Sequence, residues 1–169
     1  MKNSEVNALY LSQGGLGLPN RDYYFNKDAR TQKIVKDYKT KHVPRMLEFI
    51  DAKFLTGATA MFDLEKGLAT KSRKLEDLRD PYANYNKMSV AQLNKLTPSI
   101  NWNTIFAQLK ISTDSVIIGQ PEFFTQLNKL IKSTPLAVWK NYLRYHVITS
   151  YADYLYKKVD NEDFRFYIL

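Results

Sequence analysis

The sequence predicts a mainly α-helical protein, an irregular multi-helix domain with one or two short β-strands. Three observations carry that prediction. Apolar residues recur at helical spacing through most of the chain, most clearly at Ile34, Val35, Tyr38, His42, Met46, Phe49, Ile50 and Phe54. Capping residues and prolines stand where such runs begin, among them Asp28, Ser89, Pro121 and Pro135. Extended character is confined to two short stretches, 6–13 and 116–118.

The 169 residues suffice for one domain, 1–169, with a core of its own. With 44% hydrophobic and 25% charged residues, the composition is that of an ordinary globular protein. No apolar run approaches the ~20 residues of a membrane span, so no membrane segment is expected in this chain. Residues 1–15 lack the basic start, apolar block and small-residue cleavage site of a secretory leader. The absence of cysteine excludes disulfides, thiolate metal ligands and a Cys nucleophile. A net charge of +8 suits an anionic partner. Its carriers are spread along the chain, however, as at Lys33, Lys36, Lys39 and Lys41 and again at Lys71, Arg73 and Lys74, which reads as solvated helix faces. Without aromatic-basic interleaving, no nucleic-acid partner is expected.

The elements follow in order. VNALYLSQ, Val6 to Gln13, can be extended, with Val6, Ala8 and Tyr10 on one side. A lone strand needs a partner, which either lies later in this chain or is missing from it, and the only other strand candidate is Val116 to Ile118. Gly14, Gly15 and Gly17 loosen the backbone, Pro19 stiffens it, and Asn20 caps a short turn over Arg21 to Tyr24. From Asp28 a long amphipathic helix runs to Phe54, with Pro44 forcing a bend or break around Val43. Gly57 is a stop signal. A second helix is expected from about Thr59 to near Leu78, burying Met61, Leu64, Leu68 and Ala69.

DPYANYNKM then reads as irregular, with Tyr82 and Tyr85 partly buried and Asn84 and Asn86 as turn formers. Ser89 with Gln92 forms a capping box for a helix that Pro98 closes. Trp102 to Leu109 make another short helix. Pro121 opens a helix burying Phe123, Phe124, Leu127, Leu130 and Ile131. The helix from Pro135 carries Leu136, Trp139, Leu143, His146 or Val147, Tyr151, Tyr154 and Leu155 as its stripe. Asp160 and Asn161 read as caps for a last helix, EDFRFYIL, whose apolar Phe164, Phe166, Tyr167 and Leu169 are left uncovered unless the chain continues.

Chemistry is sparse. A zinc hydrolase helix places two histidines four apart around a glutamate, whereas His42 and His146 are far apart and neither has a second ligand at helical spacing. Both read as ordinary helix residues, buried or half-buried. No GxSxG, GxxxxGK[ST] or GxGxxG pattern occurs. The adjacent acids Glu76–Asp77 and Glu162–Asp163 read as solvated helix surface. No catalytic and no metal-binding residue is predicted in this chain.

Four pieces in order, KNSEVNALYLSQGGLGLPNRDYYF, LRDPYANYNKMSVAQL, VIIGQPEFFTQLNKLI and LAVWKNYLRYHV, resemble the N-terminal, non-catalytic region of the neprilysin and endothelin-converting-enzyme family of zinc metallopeptidases. The resemblance covers Lys2 to Leu169, with GLPxRDYY its most specific piece. It implies a fragment of a larger helical lid domain that faces a thermolysin-like catalytic domain across an enclosed cavity, admits small peptides and excludes folded proteins. The family's HExxH and ExxxD motifs match nothing here, so zinc is implied only for the parent enzyme and no cofactor for this chain. The expected partners are the missing catalytic domain of the same polypeptide and, in the parent, peptide substrates. The parent is expected in the periplasm, the cell envelope or outside the cell.

In the family the stretch matching VNALYLSQ pairs with an upstream strand, and GLGLPNRDYYF becomes a strand-to-helix corner. Arg21 is the one candidate site residue, placed to pair with an acid or to face the cavity. A different class of function, an autonomous basic helical module holding an anionic partner, is the alternative. A stand-alone carboxylate enzyme is the third reading and would need several convergent acids in a cleft.

Overall fold

The computed structural model describes residues 7–168; Val6 and Leu169, which figure in the reading above, lie outside them. The elements in chain order are β1 (Tyr10–Leu11), a 3-10 turn (Arg21–Tyr24), α1 (Ala29–Asp37), a π-turn (Tyr38–His42), α2 (Val43–Glu48), a second 3-10 turn (Ala52–Gly57) and α3 (Ala58–Ala69). After a short turn at Asp77–Arg79 come β2 (Asn86–Ser89), α4 (Val90–Leu96), α5 (Trp102–Gln108), β3 (Ser115–Ile118) and α6 (Pro121–Ser133). The chain continues through α7 (Leu136–Ser150), a turn at Ala152–Tyr154 and α8 (Lys157–Tyr167). The mainly helical class is therefore observed. The described residues group into two compact units, one taking in Thr70–Ser133 with the chain up to Gly14, the other Gly15–Ala69 with the chain from Thr134 on.

The first unit is built on a three-stranded sheet ordered β1-β3-β2. The partner of β1 is β3, in parallel register with Tyr10 opposite Ile117. β2 lies antiparallel on the other side of β3, with Asn86 opposite Ile118. Because β3 is central, its residues Val116, Ile117 and Ile118 are all buried, which explains an unbroken apolar run. β2 is a correction to the sequence reading, which took Asn86 for a turn former. Its Nδ2 instead donates to Ile118 O at 3.0 Å, so a polar residue is tied into the sheet edge by its side chain. Tyr82 is also corrected: it is 86% exposed, while Tyr85 is half-buried.

Below the sheet, Leu93, Trp102, Phe106, Phe123 and Phe124 form the apolar centre, and Trp102 Nε1 donates to Thr97 Oγ1 at 2.7 Å. The Ser89–Gln92 capping box opens α4 as expected. On α6, Phe123 and Phe124 are buried, together with Asn128, whose Oδ1 accepts from Ser99 N at 2.8 Å.

In the second unit α2, α3, α7 and α8 pack together. Asp28 and Asn20 cap as read from sequence. The irregularity at Pro44 is realised as the π-turn: Pro44 has no N–H to give, and Val43 N–H reaches back five residues to Tyr38 O. The inner face of this stretch is Tyr38, His42, Val43, Met46 and Leu47, while Ile50 is exposed. Gly57 is needed for proximity, since a Cβ there would lie 2.0 Å from Asn141 Nδ2.

Three further expectations are overturned. α3 stops at Ala69 and not near Leu78: farther on, the peptide of Arg73 is satisfied by the side chain of Gln13, with Arg73 N–H donating to Oε1 at 2.6 Å and Nε2 donating to Arg73 O at 3.0 Å. α7 turns a different face inward, burying Tyr142, Tyr145 and Ile148, while Leu136, Leu143, Val147, Tyr151 and Tyr154 are exposed. The helix is apolar around much of its circumference, so periodicity does not select the face. α8 starts at Lys157, a turn before Asp160, because Tyr156 and not Asp160 or Asn161 holds its N-cap position.

Candidate functional site

The stretch GLGLPNRDYYF forms a corner whose backbone carbonyls accept from tyrosine hydroxyls of α7 and α8. Gly15 sits at φ +77°, a left-handed conformation natural to glycine. Its carbonyl accepts from Tyr142 Oη at 2.8 Å, and a Cβ on Gly15 would lie 2.1 Å from that hydroxyl. Gly17 O accepts from Tyr167 Oη at 2.6 Å, and that same hydroxyl lies 2.9 Å from Tyr145 Oη. Leu18 N–H donates to Tyr24 Oη at 3.2 Å.

Under the corner lies Glu65, fully buried on α3. Tyr24 Oη donates to its Oε2 at 2.9 Å, and Tyr38 Oη stands 3.0 Å from both carboxylate oxygens. His146 Nε2 is 3.3 Å from Oε1, close enough for an ion pair but off the line a hydrogen bond requires. Burial first, and then the Glu65 charge, push the phenols of Tyr24, Tyr38 and Tyr142 up from their ordinary range, so they remain protonated donors.

Beside the corner an open cleft of about 490 Å³ is lined by Leu16–Pro19, Tyr145, His146, Thr149, Ser150, Asp163 and Tyr167. Asp163 Oδ1 is buried in the wall with no hydrogen-bond partner among the described residues. Burial, and then the charges of Asp153, Asp160 and Glu162, push its carboxyl up to about 6. On the other side of α8, Glu162 lies 3.3 Å from Nδ1 of the fully buried His42, whose ring stacks on Phe166 at 4.2 Å. Burial is the main cause that pushes His42 down to about 4. The reading of Glu162–Asp163 as plain solvated surface is thereby corrected: only 12% of the Glu162 side chain is exposed, and it also pairs with Arg165.

Arg21, the residue singled out from sequence, does not line this cleft. Its Nε donates to Ala69 O at 3.3 Å, which caps the C-terminal end of α3, and Nη1 lies 3.4 Å from Asp22. Its guanidinium also sits 5.1 Å from the Phe25 ring centre. Glu65 escaped sequence reasoning, although one signal was present. It shares a helix face with Met61, Leu64 and Leu68, and an acid inside an apolar stripe is expected to be paired.

The donor chemistry does not fit zinc. Among the described residues no group of three or more His, Asp or Glu side chains converges to hold a metal. The free Nε2 of His42 belongs to a ring surrounded by Tyr38, Tyr145, Phe166 and Tyr167.

Comparison with known proteins places these features. The profile of peptidase family M13 matches residues 1–168. Endothelin-converting enzyme 1 of Homo sapiens is 30% identical over 98% of this chain, and so is its counterpart from Cavia porcellus. The chain spans only 23% of the length of the Cavia porcellus enzyme and 22% of the human one. Among solved structures, zinc metalloprotease ZMP1 of Mycobacterium tuberculosis, in complex with an inhibitor, superposes with a TM-score of 0.86 at 25% identity, over 94% of this chain and 25% of that one. PepO of Lactobacillus rhamnosis, 17% identical with a TM-score of 0.81 over 96% of this chain and 26% of that one, shares the fold. With its whole described length matched, this chain belongs to peptidase family M13, as part of the N-terminal region of these metallopeptidases.

Proposed function

We propose that this chain is part of the helical lid of a zinc metalloendopeptidase, enclosing the substrate cavity and limiting the size of peptides that enter. The zinc and the groups that cleave the peptide bond belong to a part of the polypeptide outside these residues. Zinc held there would supply Lewis-acid chemistry for peptide-bond hydrolysis. The observation that carries the reading is the superposition of 94% of this chain on one quarter of a zinc metalloprotease.

The chain alone is expected to leave a quenched fluorescent peptide intact with added zinc; turnover abolished by a chelator would contradict the proposal. In a longer polypeptide that includes the zinc domain, short peptides are expected to be cleaved while a folded protein of the same sequence content resists. Equal cleavage of both would remove the size-limiting role.

A further inference from the structure

We propose that the outer face of α7 is a docking surface for an amphipathic helix from the part of the polypeptide outside residues 1–169. Leu136, Leu143 and Val147 are 68%, 57% and 59% exposed, and Tyr151, at the C-terminal end of α7, is 59% exposed. At about 3.6 residues per turn these positions fall, with Lys140, in one row along the helix, on the side opposite Tyr145. The row is about 22 Å long. α7 is thus apolar on two opposite sides, and Tyr142, Tyr145 and Ile148 fill one of them in the core of its unit. A helix apolar on both sides is suited to lie between two layers, and the described residues cover one side.

Two observations select the occupant. This chain spans less than a quarter of the endothelin-converting enzymes it matches, so most of such a polypeptide is free to supply the second layer. α7 carries Lys140 and Arg144 and no acid. A second copy of α7 laid on this face would bring the same cations and nothing to neutralise them. Arg144 is turned to the Phe54 ring at 3.9 Å, which leaves Lys140 as the cation beside the row. The helix that fits therefore presents aliphatic residues at i, i+4 and i+7 and places Asp or Glu beside Lys140, whose methylene stem extends the apolar row.

The chain has no cysteine, so Val147→Cys gives a single thiol whose alkylation rate reports cover. In the 169-residue chain that thiol is expected to react about as fast as in urea. In the longer polypeptide that includes the zinc domain, with the rate at this position read by peptide mass spectrometry, it is expected to react at least about tenfold more slowly. Leu143→Glu is expected to leave the melting midpoint of the 169-residue chain unchanged and to lower that of the longer polypeptide by several degrees, because only there is the new charge buried. Should Val147→Cys disturb the longer polypeptide, a photo-crosslinker on Lys140→Cys, at the edge of the row, keeps the test. Its crosslink is expected outside residues 1–169, in a segment with apolar residues at helical spacing.

Equally fast alkylation in both chains, or a crosslink within residues 1–169, overturns the proposal. Protection that grows with the concentration of the 169-residue chain overturns it in favour of a second copy. Protection that requires bound peptide overturns it in favour of cavity lining. These outcomes leave the size-limiting reading to its own test, the resistance of a folded substrate.

Discussion

Tyr38 places its hydroxyl 3.0 Å from both carboxylate oxygens of Glu65, and both residues are completely shielded from solvent. One phenol from the π-turn thus serves a buried acid on α3, and Tyr24 serves the same acid from the corner. A buried charge held this way is costly once a donor is withdrawn. Tyr38→Phe, which removes only the hydroxyl, is expected to destabilise the chain by about 1–3 kcal/mol, the cost of an unmet buried acceptor. Glu65→Gln is expected to cost less than Glu65→Ala, because it keeps the volume and an acceptor while discarding the charge. Urea denaturation of the three variants gives the order, and Tyr38→Phe matching wild type would show that the hydroxyl contributes nothing.

The glycines of the corner are not equivalent, and alanine replacements separate them. A Cβ on Gly17 would lie 1.8 Å from Tyr38 Oη and 2.9 Å from Glu65 Oε1, while nothing lies within 4 Å of one on Gly14. Gly17→Ala is expected to cost about 1–3 kcal/mol through overpacking. Gly15→Ala adds a left-handed backbone, worth about 1 kcal/mol or more, to its collision with Tyr142. Gly14→Ala should be near neutral. Thermal melts of the series, with Gly14→Ala as the internal control, check this; equal losses at positions 14 and 17 would contradict the packing.

Two titrating groups on or against α8 act in opposite directions. The folded state holds His42 near 4, below its ordinary 6.5, so it favours the neutral ring; that stability is complete above 6.5 and is lost as pH falls toward 4. It holds Asp163 near 6, above its ordinary 3.8, so it favours the protonated acid; that stability is complete below 3.8 and is lost as pH rises through 6. Asp163 is the less buried of the two, so His42 dominates and wild type weakens modestly toward acid. Asp163→Asn is expected to steepen the acid loss between 6.5 and 4. His42→Phe, which retains a ring against Phe166, is expected to reverse the slope. Denaturation midpoints across this range measure both slopes, and parallel profiles for the two variants would refute the assignment.

Local signals in the sequence proved legible where chemistry and position coincide. Asn20, Asp28 and the Ser89–Gln92 box cap the elements they were read to cap, since each side chain satisfies a nearby backbone donor without help from the fold. The partner of β1 was left open by the sequence and put upstream by the resemblance, whereas β3 of this chain pairs with it. What stayed hidden depends on distant residues. β2 exists because β3 offers an edge, and nothing in NKMS itself demands a strand. α7 carries apolar residues on several faces, and only the tyrosine hydroxyls, finding Gly15 O and Tyr167, explain why Tyr142 and Tyr145 turn inward. The acids of the site were illegible for the same reason: Glu65 and Asp163 take their roles from residues far away in sequence.

In the first unit, Arg73 is expected to be the residue least tolerant of a conservative change. Its Nε and Nη2 engage the two oxygens of Glu122 at 2.6 and 3.2 Å, while Nη1 donates to Ala83 O at 2.8 Å and Asn84 Oδ1 at 3.2 Å. Asn84 in turn receives Gln120 Nε2 at 2.6 Å and gives its own amide to Asp77 O and Asp80 O. The planar fork therefore ties the start of α6 to the loop before β2, which a single ammonium cannot reproduce. Arg73→Lys is expected to lose most of what Arg73→Ala loses, about 1–3 kcal/mol, with Glu122 partly solvated and contributing the smaller share. Glu122→Gln should accordingly be milder than either. Amide hydrogen exchange at Asn84 and Tyr85 reads the effect locally: faster exchange in Arg73→Lys is expected, and a lysine variant with wild-type protection would show that charge alone holds the loop.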